Sequence, residues 1–255
     1  MNQVAVLISL ARHPKSGRLM LSPNDARALA VAKEMADDVR LIHVGETAHA
    51  LTLRQYLGLG FPSLELIEMT DGADICEVLI SYLQKDAPKV ILTGLYALGQ
   101  EDTGLVPYVL AEALSRPLVD RVLSVDTASN TAQQFLPRGQ RRQLSLPERA
   151  ILTISDKAPL TLEYVARRAS EGLIHEVPSQ RESVASVWSD QWVRESRRPG
   201  RRRLTIKSQA HGWDRFTKRL ASPGGGGEVI KNDLERSVDR VLEVLAEKKL
   251  LPNAS

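Results

Sequence analysis

From residue 4 onward, short apolar runs alternate with stretches in which apolar residues recur every three or four positions. VAVLISLA (4–11) is a continuous β-rich run, the pattern of a strand buried on both faces. Ser22-Pro23-Asn24-Asp25 supplies a turn and an N-cap, and ARALAVAKEM behind it has helical spacing and high propensity. VRLIHVG (39–45) predicts a second strand, and Thr47 is placed to cap a helix over 48–58. LELIEM (64–69) predicts a third strand. Asp71 then starts a helix over 73–85 with Ile75, Val78, Leu79 and Tyr82 on its apolar face. KVILTG (89–94) predicts a fourth strand, followed by a helix from Thr103 to Leu114 in which Pro107 fits only near the N-terminus.

Four strand–helix alternations argue for a parallel sheet with helices on both faces, and right-handed crossovers make it doubly wound. Ligands of such sheets sit beyond the carboxyl ends of the strands, where the strand order reverses. The loops after Ala11, Val44, Met69 and Gly94 are the ones expected to line that crevice. From about residue 118 the rhythm changes. LVDRVLSVD, TAQQFLP, RRQLSLP and AILTIS are strand-like and follow one another without helices, with Arg138-Gly139 as a turn between the middle pair. An antiparallel extension or edge is expected. The segment 233–251, DLERSVDRVLEVLAEKKLL, predicts a terminal amphipathic helix with Leu234, Val238, Val241, Leu242, Leu245 and Leu250 mostly on one face. The pattern divides the chain into an α/β domain (1–175), an extended arm or linker (176–227) and a C-terminal helix segment (228–255).

Charge sharpens the second of these. The net charge is +3, yet residues 194–220 hold ten Arg and Lys against Glu195 and Asp214, so the high pI belongs to one segment. Trp188, Trp192 and Trp213 flank the arginines without forming a stacking array, so the segment reads as a solvated or partner-facing arm rather than a nucleic-acid site. Gly224–Gly227 has no strand before it and reads as flexible linker rather than a phosphate loop. Cys76 is the one cysteine, so no intramolecular disulfide forms, and it reads as a core residue. No apolar run approaches the ~20 residues that span a bilayer. A soluble chain of the cytoplasm, or of an organelle matrix, is expected.

Most familiar chemistry is missing. Gly58-Leu59-Gly60 follows a helix and leads into a strand, the reverse of a dinucleotide fingerprint, and reads as a helix C-cap. There is no Walker lysine motif. None of His13, His43, His49, His175 and His211 has a second histidine or a cysteine at i+3 or i+4. His43 reads as a structural histidine. No nucleophile–base set or carboxylate pair is supported by spacing. The loop Thr93-Gly94-Leu95-Tyr96-Ala97-Leu98-Gly99-Gln100-Glu101-Asp102-Thr103-Gly104-Leu105 says more. Glycines and a Thr-Gly pair stand where a parallel strand gives way to a helix. They suit a phosphate at the helix start, or an ordinary N-cap.

Four segments, in order, resemble the β subunit of electron transfer flavoproteins. LSPNDARALAVAKEM is similar to the family's Asn-Pro turn and Ala-rich helix. IHVGETAHALTLRQYLGLG resembles its next strand, turn and helix, and TGLYALGQEDTGLVPYVLAEAL resembles the stretch that wraps adenosine monophosphate (AMP). LPERAILTIS with PLTLEYVARRA is similar to a later strand and to the segment that meets dehydrogenases. The resemblance implies a nucleotide-binding α/β domain that is an electron carrier and not an enzyme. It implies FAD held mainly by an α subunit, AMP as a possible second ligand, and flavoprotein dehydrogenases as electron donors to the quinone pool. By position it carries nucleotide contacts to Leu7, Ser22, Pro23, Asn24, Asp25, Val44, Ala97, Thr103, Gly104, Leu105 and Val106, and dehydrogenase docking to Leu162. This chain departs from the family pattern at Ser9 (a lysine), at Glu163 (a proline) and at Arg138–Arg142 (an acidic hairpin). The departures point to a specialised client, such as a dehydrogenase of N-methylated amines. The alternative is a nucleotide-sensing module of the same fold, acting through its basic arm.

Overall fold

The computed structural model describes residues 4–69, 74–86, 88–98, 103–179 and 233–247. The chain divides into two compact units, residues 1–194 and 195–255. The first holds a nine-stranded sheet. Its parallel strands are β1 (Val4–Leu7), β4 (Val39–Gly45), β5 (Ser63–Glu68), β6 (Val90–Gly94), β7 (Leu118–Asp126), β10 (Ala150–Ile154) and β11 (Leu173–Val177). Strands β8 (Thr131–Phe135) and β9 (Arg141–Ser145) complete it antiparallel. The spatial order is β11-β5-β4-β1-β6-β10-β7-β8-β9.

Helices α1 (Pro23–Met35) and α2 (Ala50–Leu57) cover one face through an apolar cluster that includes Val6, Leu29, Leu41, Leu53, Leu57 and Leu92. Helices α3 (Ile75–Lys85) and α4 (Val106–Ala113) cover the other through Ala5, Ile42, Leu79, Leu83, Leu110 and Ile151. Alternate residues of β1, β4, β6 and β10 fall in the two clusters, which is why those strands read as unbroken apolar runs. The doubly wound arrangement is as expected.

Four local expectations are corrected. The opening run is not one strand: β1 stops at Leu7, and Leu10–Arg12 (β2) pairs antiparallel with Leu19–Leu21 (β3) in a separate two-stranded sheet. The break falls at Ser9, whose backbone N–H and hydroxyl both donate to Asp25 instead of entering the ladder. AILTIS is not part of an antiparallel extension. As β10 it lies buried between β6 and β7, parallel to both, and only β8 and β9 run antiparallel. Every residue of β10 is buried, which an edge position does not permit. Helix α4 begins at Val106, not Thr103, so Pro107 falls in its first turn, where its missing N–H costs nothing. Cys76 is half-buried rather than core.

Strand β11 and helix α5 (Ala166–Glu171) gave no periodic signal. Strand β11 is held by its parallel ladder with β5, and the α5 segment before it by bonds from α2 and its C-terminal end. Arg54 on α2 reaches the carbonyls of Ala169, Ser170 and Gly172 at 3.1–3.2 Å, and the Val165 N–H donates to the Gly58 carbonyl at 2.8 Å. In the second unit, helix α6 (Leu234–Glu247) exposes Leu234, Val238, Val241 and Leu242. The arginine-rich arm and the glycine run 224–227 lie outside the described residues.

Replacing Arg54 by alanine leaves those three carbonyls without their cation. The Arg54→Ala variant should lose about 2 kcal/mol of stability and be cleaved earliest between residues 166 and 177, as measured by urea unfolding and limited proteolysis.

Candidate functional site

The strand order reverses between β1 and β6. From β1 the chain steps outward to β4 and β5, then returns across the opposite face to β6 on the other side of β1. The crevice expected at such a reversal opens between Ile8–Ser9, after β1, and Gly94–Tyr96, after β6. The first turn of α1 fills its floor. Ser22 caps the helix, its hydroxyl accepting the Asp25 N–H, and Pro23 occupies the first helical position. The Asn24 amide donates to the Tyr96 carbonyl at 3.0 Å. Asp25 Oδ2 accepts the Ser9 N–H and hydroxyl, each at 2.7 Å. The Tyr56 hydroxyl, from α2, donates to the Ser9 carbonyl at 2.6 Å, accepts the Ser22 N–H, and lies 3.3 Å from Asp25. On the far side, a Cβ on Gly94 would collide with Asp25 Oδ1, so only glycine fits beside that carboxylate.

Burial is the dominant influence on Asp25. It pushes the carboxyl up from 3.8 to about 6, against the lowering effect of hydrogen bonds from Ser9, Ser22 and Tyr56. The same physics acts on His43. Its Nδ1 lies 2.9 Å from the Ile8 carbonyl and so carries the proton there. Its Nε2 faces His49 Nδ1 at 3.3 Å. Burial first, and then the second imidazole, bring His43 down to about 4. The histidine pair was invisible to i+3/i+4 spacing because six residues and a change of element separate the two rings.

The residues expected to line a nucleotide separate into groups. Ser22, Pro23, Asn24 and Asp25 sit on the crevice floor, and Leu7 ends β1 beside Thr93. Ala97 lies half-buried in the loop after β6. Gly104, at φ +66°, backs onto the Leu95 carbonyl and folds the two ends of that loop together. Thr103 accepts the Leu105 N–H, and both are exposed beside half-buried Val106 at the start of α4. Val44 is half-buried among the α3-side apolar residues, with no polar group of its own to offer. Leu162 is half-buried against the α1-side core, whereas its neighbours Leu160 and Tyr164 are more than half exposed or close to it. Residues 99–102 of the glycine loop lie outside the described residues.

Ser9 and Tyr56 were not singled out as crevice residues by the sequence, whereas Thr93 and Gly94 open the loop that was read as a possible phosphate site. Thr93 matters most. Its Oγ1 is buried and has no hydrogen-bond partner, whereas Thr153, directly across on β10, accepts the Arg121 N–H at 2.9 Å. An unpaired buried hydroxyl costs about 1–3 kcal/mol. It stands next to Gly94, at the mouth.

Fold and crevice together define a doubly wound α/β domain with a polar switch-point mouth and, among the described residues, no metal cluster and no helix long and apolar enough to cross a membrane. No family model matches the sequence. The electron transfer flavoprotein subunit beta of Chromohalobacter salexigens is 35% identical over 261 aligned positions, which cover 98% of this chain and 96% of that protein. The chain belongs to the electron transfer flavoprotein β-subunit family. It is accordingly an electron-transport protein associated with flavin, and a carrier rather than an enzyme.

The two displaced titrations act in opposite directions. His43 has a lowered folded pKa, so its contribution is complete above 6.5 and is lost as pH falls through about 4. Asp25 has a raised one, so its contribution is complete below 3.8 and is lost as pH rises through about 6. The two offset each other over the shared window. A His43→Gln variant should therefore gain stability relative to the parent, by on the order of 2–3 kcal/mol, between pH 7 and pH 4. Parallel pH–stability curves from urea unfolding would show that His43 is not buried neutral.

Proposed function

We propose that the chain is one half of a heterodimeric electron transfer flavoprotein, paired with an α subunit that holds most of the FAD. Its switch-point crevice takes the adenosine part of a nucleotide, either AMP or part of the shared FAD. The flavin accepts and releases the electrons. This chain's own residues bind and orient. Electrons come from flavoprotein dehydrogenases, among which one acting on N-methylated amines is a candidate, and pass on to the quinone pool. The pair works in the cytoplasm.

The observation that carries the nucleotide reading is the orphaned Thr93 hydroxyl at a mouth already lined by polar backbone. A ribose or phosphate oxygen arriving there gives Thr93 the partner it lacks. The Gly104 and Val106 N–H groups, at the α4 start, suit an anion because a helix N-terminus carries partial positive charge. Pro107 withdraws one donor from that end, which places more weight on the loop glycine. Dehydrogenase docking is assigned to residues 159–165, a stretch without regular structure. It is pinned by the Arg27 bond to the Ala158 carbonyl at 3.1 Å and by Val165 on Gly58. Leu162 contributes to it from a half-buried position, through packing as well as contact.

Co-expression with a candidate α subunit tests the whole reading. A yellow heterodimer that releases FAD, with or without AMP, on denaturation is expected, and the chain alone should hold little flavin. A colourless pair, or a full flavin complement on the isolated chain, defeats it. Thr93→Val tests the crevice within that heterodimer. The variant should be more stable by about 1 kcal/mol without nucleotide, yet retain less adenine nucleotide after gel filtration. Unchanged retention places the nucleotide elsewhere.

A further inference from the structure

The first turn of α1 raises a question that family membership does not answer: why the fold keeps a carboxylate buried without a cation. Ser9, Ser22, Asn24, Tyr56 and Gly94 surround Asp25 from the β1–β2 loop, α1, α2 and β6. Tyr56 is the one titratable group among them. His43 approaches this network through the Ile8 carbonyl, one residue from Ser9, and its other ring nitrogen faces His49, not Asp25. Among the described residues no Lys, Arg or His pairs with Asp25. A charge in that position opposes folding at neutral pH, and an uncharged isostere would remove the cost.

What the carboxylate does is geometric. One oxygen holds both donors of Ser9, at the end of β1, and the other stands against Gly94, at the end of β6. These are the two strand ends between which the crevice opens. Next to it, Asn24 ties the same helix turn to the Tyr96 carbonyl. We propose that Asp25 is a positioning residue: its ionised carboxylate clasps the Ser9 loop and so sets the width of the switch-point crevice for an adenine nucleotide. The proposal rests on the nucleotide reading above. Protonated, Asp25 loses its charge and part of its capacity to accept, so the bonds donated by Ser9 and Tyr56 weaken. The clasp therefore loosens as pH falls below about 6.

The test uses the heterodimer with AMP as the probe, comparing the parent with Asp25→Asn from pH 5 to pH 8. Asparagine keeps the shape and loses the charge. At pH 8 the variant should bind AMP about tenfold more weakly, the size expected for losing charge-assisted hydrogen bonds. Its melting temperature should be equal or higher. At pH 5 the two should converge. Because the AMP phosphate also titrates near pH 6, the difference between the two pH profiles is the readout, not either alone. Superimposable profiles, or equal affinity at pH 8, overturn the proposal. Should the parent bind no AMP at all, the nucleotide reading fails, and hydrogen exchange of the Ser9 amide still decides whether the clasp exists. Exchange at pH 8 should be about tenfold faster in the variant, and equal rates overturn the clasp. Ser9→Ala, which removes one of the two donors, serves if Asp25→Asn does not fold. It should weaken AMP binding in the same direction, and no change counts against the proposal.

Discussion

Strand β1 pairs in parallel with β4 on one side and with β6 on the other, and the rest of the structure depends on that double pairing. It forces the chain to wind outward, cross the sheet and return, so that connecting loops leave neighbouring strands in opposite directions. A gap between Ser9 and Gly94 is the geometric result. Sheet hydrogen bonding ends there, so the backbone groups at the gap need other partners. The first turn of α1 supplies them, through the Ser22 cap, the Asn24 amide and the Asp25 carboxylate. Helix and crevice are therefore one construction.

The same dependence accounts for how the sheet is extended. Beyond β6, strand β10 is reached only after the chain has passed through β7, β8 and β9. The hairpin of β8 and β9 ends at the Pro137–Gly139 turn, where Arg138 has φ +62° and Gly139 φ +76°. Strand β7 accommodates two neighbours of opposite direction by a register shift near Arg121, at φ +52°, whose N–H leaves the ladder for Thr153. Such a bulge bends a strand and strengthens its twist. It also leaves Thr153 satisfied and Thr93 not.

How much of this was legible in the sequence follows from the range of each interaction. Strands β4 and β7 were read at their observed positions, and the cap was read within Ser22–Asp25, because period and capping are local, although the helix starts at Pro23 rather than at Ala26. The place of β10 was not. Its apolar run fits a central strand, but consecutive strands without helices suggested hairpins, and only tertiary pairing decides between the two. Helix α5 is tied to Arg54, more than 110 residues away in sequence, and β11 to the similarly remote β5. The crevice shows the same division. Ser22–Asp25 came from a resemblance of contiguous residues. Ser9 and Tyr56 emerge only when three elements meet, and the loop opening at Thr93-Gly94 was read from sequence without the Asp25 contact or the unpaired hydroxyl that the structure adds.

That pattern carries information about selection between stability and use. Among the described residues of the first unit, the Thr93 hydroxyl is buried without a partner and the Asp25 carboxyl without a cation, each at an energetic loss. A valine and an asparagine of nearly the same shape would remove both losses. The half-buried Arg40 elsewhere shows that this fold can satisfy a charge when only structure is at stake, since it reaches Glu65, Asp86 and Tyr82 at 2.6–2.9 Å. The unpartnered hydroxyl and the uncompensated charge lie instead next to Gly94, at the strand-order reversal. Losses scattered at random would mark an indifferent core. Losses gathered at the switch point are the pattern that the proposed nucleotide site would leave in the unliganded chain.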